Sequence, residues 1–306
     1  MKRWWTYQRE RFPIAGHGPL ILAFSFSAVS YSRMLRNAPG FPPLLPAASA
    51  FVSCFLFFLQ LRIADEFKDF EEDSAFRPYR PVPRGLVTLR QLALVFLLAA
   101  ATQLALALVL RPDMAFLLLV VWTYLAGMSK EFFVRDWLKA RPLTYMLSHM
   151  LIMPLVDFYA TGCDWLASAV PAPSGLSFFL VASFCNGMVI EIGRKIRSPA
   201  DEEPGVETYS ALWGRPRAVA AWILALTLTT TFALLAAHGI HFLLPAAVVL
   251  GAFLAIAVLT ALRFLRSQRP GQGRTIELSA GLWTLALYLS LGAIPIAWRV
   301  WSGRHP

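Results

Sequence analysis

Apolar stretches of 16 to 22 residues recur from one end of this 306-residue chain to the other, with the charged residues concentrated in the short segments between them. A helix of about 20 apolar residues crosses the ~30 Å hydrocarbon core of a bilayer, so the pattern predicts an all-α polytopic membrane protein. Nine spans are expected, at about 18–35, 43–63, 91–110, 114–129, 143–162, 175–193, 217–237, 242–262 and 278–298. The fourth is short enough to cross with little tilt or to be partly re-entrant. Together they form one domain over 1–306, arranged around a central cavity.

Composition agrees, with 57% hydrophobic and 15% charged residues. A net charge of +10 invites a nucleic-acid reading, but in a membrane protein the sidedness of Lys and Arg matters more than their sum. With a cytoplasmic N-terminus, 23 of the 28 basic residues fall inside, and only Arg33, Arg36, Arg111, Arg299 and Arg304 fall outside with the C-terminus. Adding or omitting one span would scramble the parity of every later loop, so the asymmetry supports both count and orientation. It makes the basic excess a topology signal and argues against nucleic acid as a partner. The expected location is the cytoplasmic membrane of a prokaryote. Trp4, Trp5 and Tyr7 are expected to anchor the chain in the headgroup layer among membrane lipids, and no signal-cleavage site is evident after Leu35. Cys54, Cys163 and Cys185 are too scattered for disulfides or zinc and read as packing residues.

The acids are distributed far less evenly. Eleven of the 18 lie in two segments, 62–90 and 191–216, each following a span and each on the cytoplasmic side. In the first, Asp65, Asp69 and Asp73 recur at spacing four, which on a continuous helix stacks like charges on one face. That arrangement becomes favourable around a hard divalent cation such as Mg²⁺, which takes one or two carboxylates and fills its shell with water and phosphate oxygens. Arg77, Arg80 and Arg84 follow in a proline-rich run that cannot continue the helix and is expected to return its arginines towards the acids. Acids for metal and arginines for phosphate point to a diphosphate site. The alternative is a solvated helix end whose acids pair with nearby arginines.

In the second segment Glu191 stands one turn from Arg194 and Lys195. A local ion pair is one reading; the other makes Arg194, Lys195 and Arg197 phosphate ligands, with Glu191 positioning one of them or joining a metal shell. Tyr209 is a further candidate for the phosphate. His149 beside Ser148 reads either as a base for an acceptor hydroxyl or as a histidine bonded to a neighbouring helix. Asp157 is expected near the outer face, away from the motifs. The loop 263–274 either covers the site or enforces topology.

The run from Asp65 to Gly85 resembles the first motif of the UbiA-type membrane prenyltransferases, Asn-Asp-x-x-Asp-x-x-x-Asp followed by Arg-Pro-(Leu/Ile/Val)-Pro-x-Gly. Aligned on Arg80-Pro81-Val82-Pro83-Arg84-Gly85, the metal-binding positions fall on Asp65, Glu66, Asp69 and Asp73, with Asp65 for Asn and Glu66 for Asp. Lys130 falls where members place a basic residue near the diphosphate. The second motif departs from the pattern: Lys195 and Ser198 occupy positions expected to be acidic, although Gly205-x-x-Thr208 and Trp213-Gly214 match its end. The resemblance implies nine membrane helices and Mg²⁺-dependent transfer of a prenyl group from an isoprenyl diphosphate to a lipid-soluble, aromatic or lipid, acceptor. Asp69, Asp73, Lys130, Arg194 and Lys195 would carry the chemistry; Arg77, Arg80, Arg194, Lys195, Arg197 and Tyr209 would hold the diphosphate, and Asp65, Glu66, Asp69, Asp73 and Glu191 the metal. The rival readings are a terpene cyclase on the same fold and a non-catalytic polyprenyl-phosphate binder or flippase.

Overall fold

The chain opens on a surface helix, α1 (Lys2–Arg11), and Pro13 ends the connection to the first apolar helix, α2 (Ile14–Leu35). A computed structural model describes residues 2–267 and 269–303; Arg304, counted above with the outer basic residues, lies outside the described residues. The order continues with α3 (Leu44–Lys68), α4 (Phe70–Phe76), α5 (Leu89–Leu110), α6 (Met114–Ser129), α7 (Arg135–Lys139), α8 (Pro142–Met150), α9 (Ile152–Trp165), α10 (Leu176–Arg194), α11 (Tyr209–Trp213), α12 (Arg215–Gly239), α13 (Leu243–Arg266), α14 (Gly273–Tyr288) and α15 (Ile294–Ser302).

Among the described residues eight helical segments are long and apolar enough to cross a membrane, and the 16-residue α6 is the short ninth that the sequence pattern anticipates. The protein is an all-α polytopic membrane protein. Two spans are interrupted. Pro154 has no N–H to give to the carbonyl of Met150, and the helix breaks at Leu151 into α8 and α9. A π-turn over Leu289–Ala293 separates α14 from α15, and there Gly292 lets the Ser27 backbone of α2 approach; a Cβ on Gly292 would lie 2.2 Å from Ser27 Cα.

At the centre α10 packs against α8, α9, α12 and α14. Trp222, Trp283, Tyr31, Tyr159 and Tyr288 are the largest fully buried side chains of the bundle. Two polar contacts inside the bundle tie helices together: the Trp222 indole donates to the Val189 carbonyl at 3.0 Å, and the Tyr288 hydroxyl to Asp157 at 2.9 Å. One end of the bundle is closed by Asp164, which takes Arg36 at 2.7 Å and Ser32 at 2.7 Å, and by Arg299, which covers the carbonyls of Ile240 and Met34. Both acidic segments lie at the opposite end.

Candidate functional site

Between the ends of α3, α8 and α10 lies a cavity of about 530 Å³, roofed by α4 and by the segment before α11. Spacing on α3 decides which residues reach it. Phe58, Leu61, Arg62, Asp65, Lys68 and Asp69 recur at three and four and line the cavity. Glu66 is one residue off that face, is buried, and forms an ion pair with Arg11 of α1. A continuous helix would have carried Asp73 onto the cavity face below Asp69. Instead α3 ends at Lys68, Asp69 leaves helical geometry at φ −95°, ψ 5°, and α4 restarts at Phe70. Asp73 thereby turns into the proline-rich loop, where it is buried between Arg77 at 2.9 Å and Arg80 at 2.6 Å. The loop returns two of its three arginines, Arg77 and Arg80, to the cavity; Arg84 is not a lining residue and pairs instead with Glu10 of α1 at 2.9 Å.

On α10 Glu191 lines the cavity and is held by Arg194 at 2.5 Å and Lys195 at 3.0 Å, the local pairing that its sequence spacing allows. Both cations also line the cavity, and Lys195 Nζ stands 5.5 Å from the Tyr209 ring, another lining residue. Burial, then Glu191, raises the Tyr209 phenol above its ordinary range. Lys130 and Arg197 are not among the lining residues. Lys130 ends α6, while Arg197 faces Glu277 of α14 at 3.6 Å and its backbone N–H donates to Ser210.

The two motif segments meet over the cavity. Tyr79 donates to Glu203 at 3.2 Å, and the Phe76 ring lies against Gly205, whose φ of +73° and lack of a Cβ permit the approach. Thr208 caps α11, and both Thr208 and Ser210 donate to Glu202, which fixes the base of this roof. The loop after α13 packs on the same base, with the Gly271 N–H on Asp201 at 2.7 Å, and none of its described residues lines the cavity.

Several lining residues were not singled out in the sequence: Arg62, Lys68, Glu131, Arg135, Lys139 and Tyr145. Lys68 Nζ donates to the Tyr145 hydroxyl at 2.8 Å, and Lys139 meets Glu72 at 2.6 Å. Glu131, Phe132 and Phe133 all have left-handed φ, at 49°, 52° and 63°, costing roughly 1–2 kcal/mol each for residues with a Cβ. Phe132 packs against Gly127 and Tyr124, and Glu131 is driven inward. The signal for this turn was the polar break after a short span; nothing local marks Tyr145.

Two carboxylates at the end of α3, Asp65 and Asp69, stand at the cavity, with Arg62 at 3.6 Å and Lys68 at 3.9 Å from Asp65, and Glu72, Glu131, Glu191 and Glu207 line it elsewhere. Burial is the largest influence on Asp69 and raises its carboxyl; Lys68 opposes this, while Asp65, Asp73 and Glu72 add to it. A hard cation beside Asp65 and Asp69 would relieve that crowding, and it requires only one or two carboxylates when phosphate completes its shell. Among the described residues no group of three His, Cys, Asp or Glu is placed to hold a metal. The donors therefore fit one Mg²⁺ shared with a phosphate, and Glu191 is already committed to two cations.

Residues 23–280 match the UbiA prenyltransferase family. An apo structure of a UbiA homologue from Aeropyrum pernix K1 superposes with a TM-score of 0.63 at 14% identity, covering 87% of this chain and 94% of the homologue. A structure of a digeranylgeranylglyceryl phosphate synthase superposes with a TM-score of 0.62 at 13% identity, covering 97% of this chain and all of that one, 100%. At these identities the likeness is one of fold. No curated protein matches the sequence.

Proposed function

The chain belongs to the UbiA prenyltransferase family, and from that premise we propose that it transfers a prenyl group from an isoprenyl diphosphate to a lipid-soluble acceptor. The observation that carries the reading is the mixed lining of the cavity, charged and apolar. Arg77, Arg80, Arg194 and Lys195 line it with Asp65 and Asp69, and Phe58, Met146, Ile152, Met153 and Ile190 line it too. An anionic head on an apolar chain matches both sets of side chains at once.

The arginines and Lys195 neutralise the diphosphate as the bond from its oxygen to C1 of the prenyl chain breaks and the electron pair leaves with it. Mg²⁺, held by Asp65 and Asp69, supplies further neutralisation of the leaving diphosphate when bound. The roof of Phe76 and Gly205 keeps water from the allylic cation while the acceptor attacks. In the second segment Lys195 and Arg194 take the place of a second metal. The asymmetry of Lys and Arg supports a site on the cytoplasmic face.

Release of diphosphate from farnesyl diphosphate by the purified protein in nanodiscs, titrated with Mg²⁺, tests this. Magnesium-dependent release is expected. Tight binding with no release, unaffected by Mg²⁺, would replace this reading with a non-catalytic polyprenyl-phosphate binder. A cyclised product in the absence of acceptor would make the protein a terpene cyclase.

A further inference from the structure

One corner of the cavity carries two buried hydrogen-bond acceptors that have no donor. Glu131 is 3% exposed, and its Oε2 makes no hydrogen bond, the nearest cation being Arg135 Nε at 3.6 Å. His149 is 7% exposed, and its Nε2 makes none either. The tautomer of His149 follows from its other nitrogen. Nδ1 lies 2.8 Å from the Tyr145 carbonyl, which can only accept, so the ring proton sits on Nδ1 and Nε2 presents a lone pair. Ser148 Oγ, 3.3 Å from Nδ1, has the Tyr145 carbonyl at 3.0 Å as its own acceptor.

Tyr145 joins the two groups. Its ring stacks on His149 at 3.9 Å and 12°, and its hydroxyl takes Lys68 Nζ at 2.8 Å while facing Glu131 Oε1 at 3.5 Å. Phe132 stands edge-on to the His149 ring from the left-handed turn that carries Glu131. Glu131, Tyr145, Met146, His149, Met150 and Met153 all line the cavity, so the two acceptors sit beside aromatic and thioether side chains, with Lys68 and Arg135 as the neighbouring cations. Buried lone pairs without donors are costly, and two of them in one wall ask for a ligand that brings hydrogens.

We propose that this corner is the binding site for the acceptor, and that the acceptor is an amphiphile whose head carries at least two hydroxyl groups. One hydroxyl donates to Nε2 of His149 and the other to Oε2 of Glu131. In the transfer step the first hydroxyl oxygen bonds to C1 of the prenyl chain, and the C1–oxygen bond to diphosphate breaks with its electron pair leaving on the diphosphate. The hydroxyl proton passes to His149 Nε2 and from there to water after the ether departs. His149 is thus a catalytic residue and Glu131 a specificity-determining one. This rests on the prenyl-transfer reading above.

The test uses protein in nanodiscs loaded with the unreactive farnesyl thiolodiphosphate and titrated with two probe series, a 4-alkylcatechol and a long-chain 1,2-diol, each with its mono- and dimethyl ethers. At least one series is expected to bind in descending order, with tenfold or more between the free diol and the dimethyl ether. His149→Phe and Glu131→Met are each expected to remove one step of that ladder while the farnesyl analogue binds as in the wild type. His149→Gln, which keeps an acceptor atom, is expected to restore the binding step and not the transfer rate. Should a Phe or Met variant lose the analogue as well, the transfer rate of His149→Gln decides: that rate at the wild-type level, or a wild-type ladder in a Glu131→Met protein that binds the analogue, overturns the proposal. Equal affinity for all three members of both series, with the analogue bound, overturns it too and leaves prenyl transfer standing. Failure of the wild type to bind the analogue overturns both.

Discussion

The segment after α3 and the segment after α10 face the same cavity and solve the same electrostatic problem in opposite ways. In the first, Glu66 and Asp73 are consumed by Arg11, Arg77 and Arg80, while Asp69 and Asp65, the latter held only at 3.6 Å by Arg62 and 3.9 Å by Lys68, remain at the cavity. In the second, Glu191 is consumed by Arg194 and Lys195, and those two cations stand at the cavity with Glu207. Position in a motif therefore does not settle a residue's task. Its pairing does, because a carboxylate already bridged by two guanidinium groups has little left to offer a metal.

Removing one acid of each kind separates the two roles. Asp69→Ala is expected to lower diphosphate release by more than about 100-fold, some 2.7 kcal/mol or more of transition-state stabilisation, with the thermal midpoint close to wild type. Asp73→Ala should instead strip Arg77 and Arg80 of their partner and cost about 3–5 kcal/mol of stability, read as a lowered midpoint in the same nanodiscs. Equal midpoints for the two variants would erase the distinction between them.

A smaller effect sharpens the cationic side. Lys195→Met deletes one charge-assisted contact worth roughly 1.5–3 kcal/mol, so affinity for farnesyl thiolodiphosphate should fall about 10- to 100-fold. An unchanged dissociation constant would mean that Lys195 serves only Glu191.

The smallest effect lies at the rim. A hydrogen bond from Lys139 is the main cause that holds the Glu72 carboxyl below its ordinary range. A depressed carboxylate stabilises the fold fully above its unfolded pKa of about 4.5, and that contribution is lost as pH falls through the lower folded value. Both partners are more than a third exposed, so the gain is less than about 1 kcal/mol. Wild type should therefore melt slightly above Glu72→Gln at pH 7, with the gap closing towards pH 3; a gap that widened on acidification would reverse the assignment.

Much of the architecture was legible because hydrophobic length is a local property: all nine apolar stretches reappear as helices with ends shifted by a few residues. The break at Leu151 was not anticipated, since Pro154 interrupts a stretch whose apolarity continues through it. In the site, the return of Arg77 and Arg80 was legible from the prolines between them. The fate of Asp73 was not, because the i, i+4 argument assumed a helix that Asp69 interrupts. Glu66 was equally opaque, for its partner Arg11 lies 55 residues away. Tyr145, His149 and Glu131 come together only through α8 packing beside the turn after α6.

That turn ends a helix of 16 residues, about 24 Å long at 1.5 Å per residue, beside neighbours of 22 residues and more. A hydrocarbon layer of ~30 Å does not fit around it unstrained. Exposed Phe133, Val134 and Trp137 extend the apolar surface just past its end, where aromatic residues settle among headgroups. Thinning of the bilayer beside α6 is one way such a mismatch is met, and it would draw the headgroups towards the level of the cavity. An amphiphile diffusing in that leaflet would have its polar end lowered to the depth of Glu131 and His149 before it left the lipid.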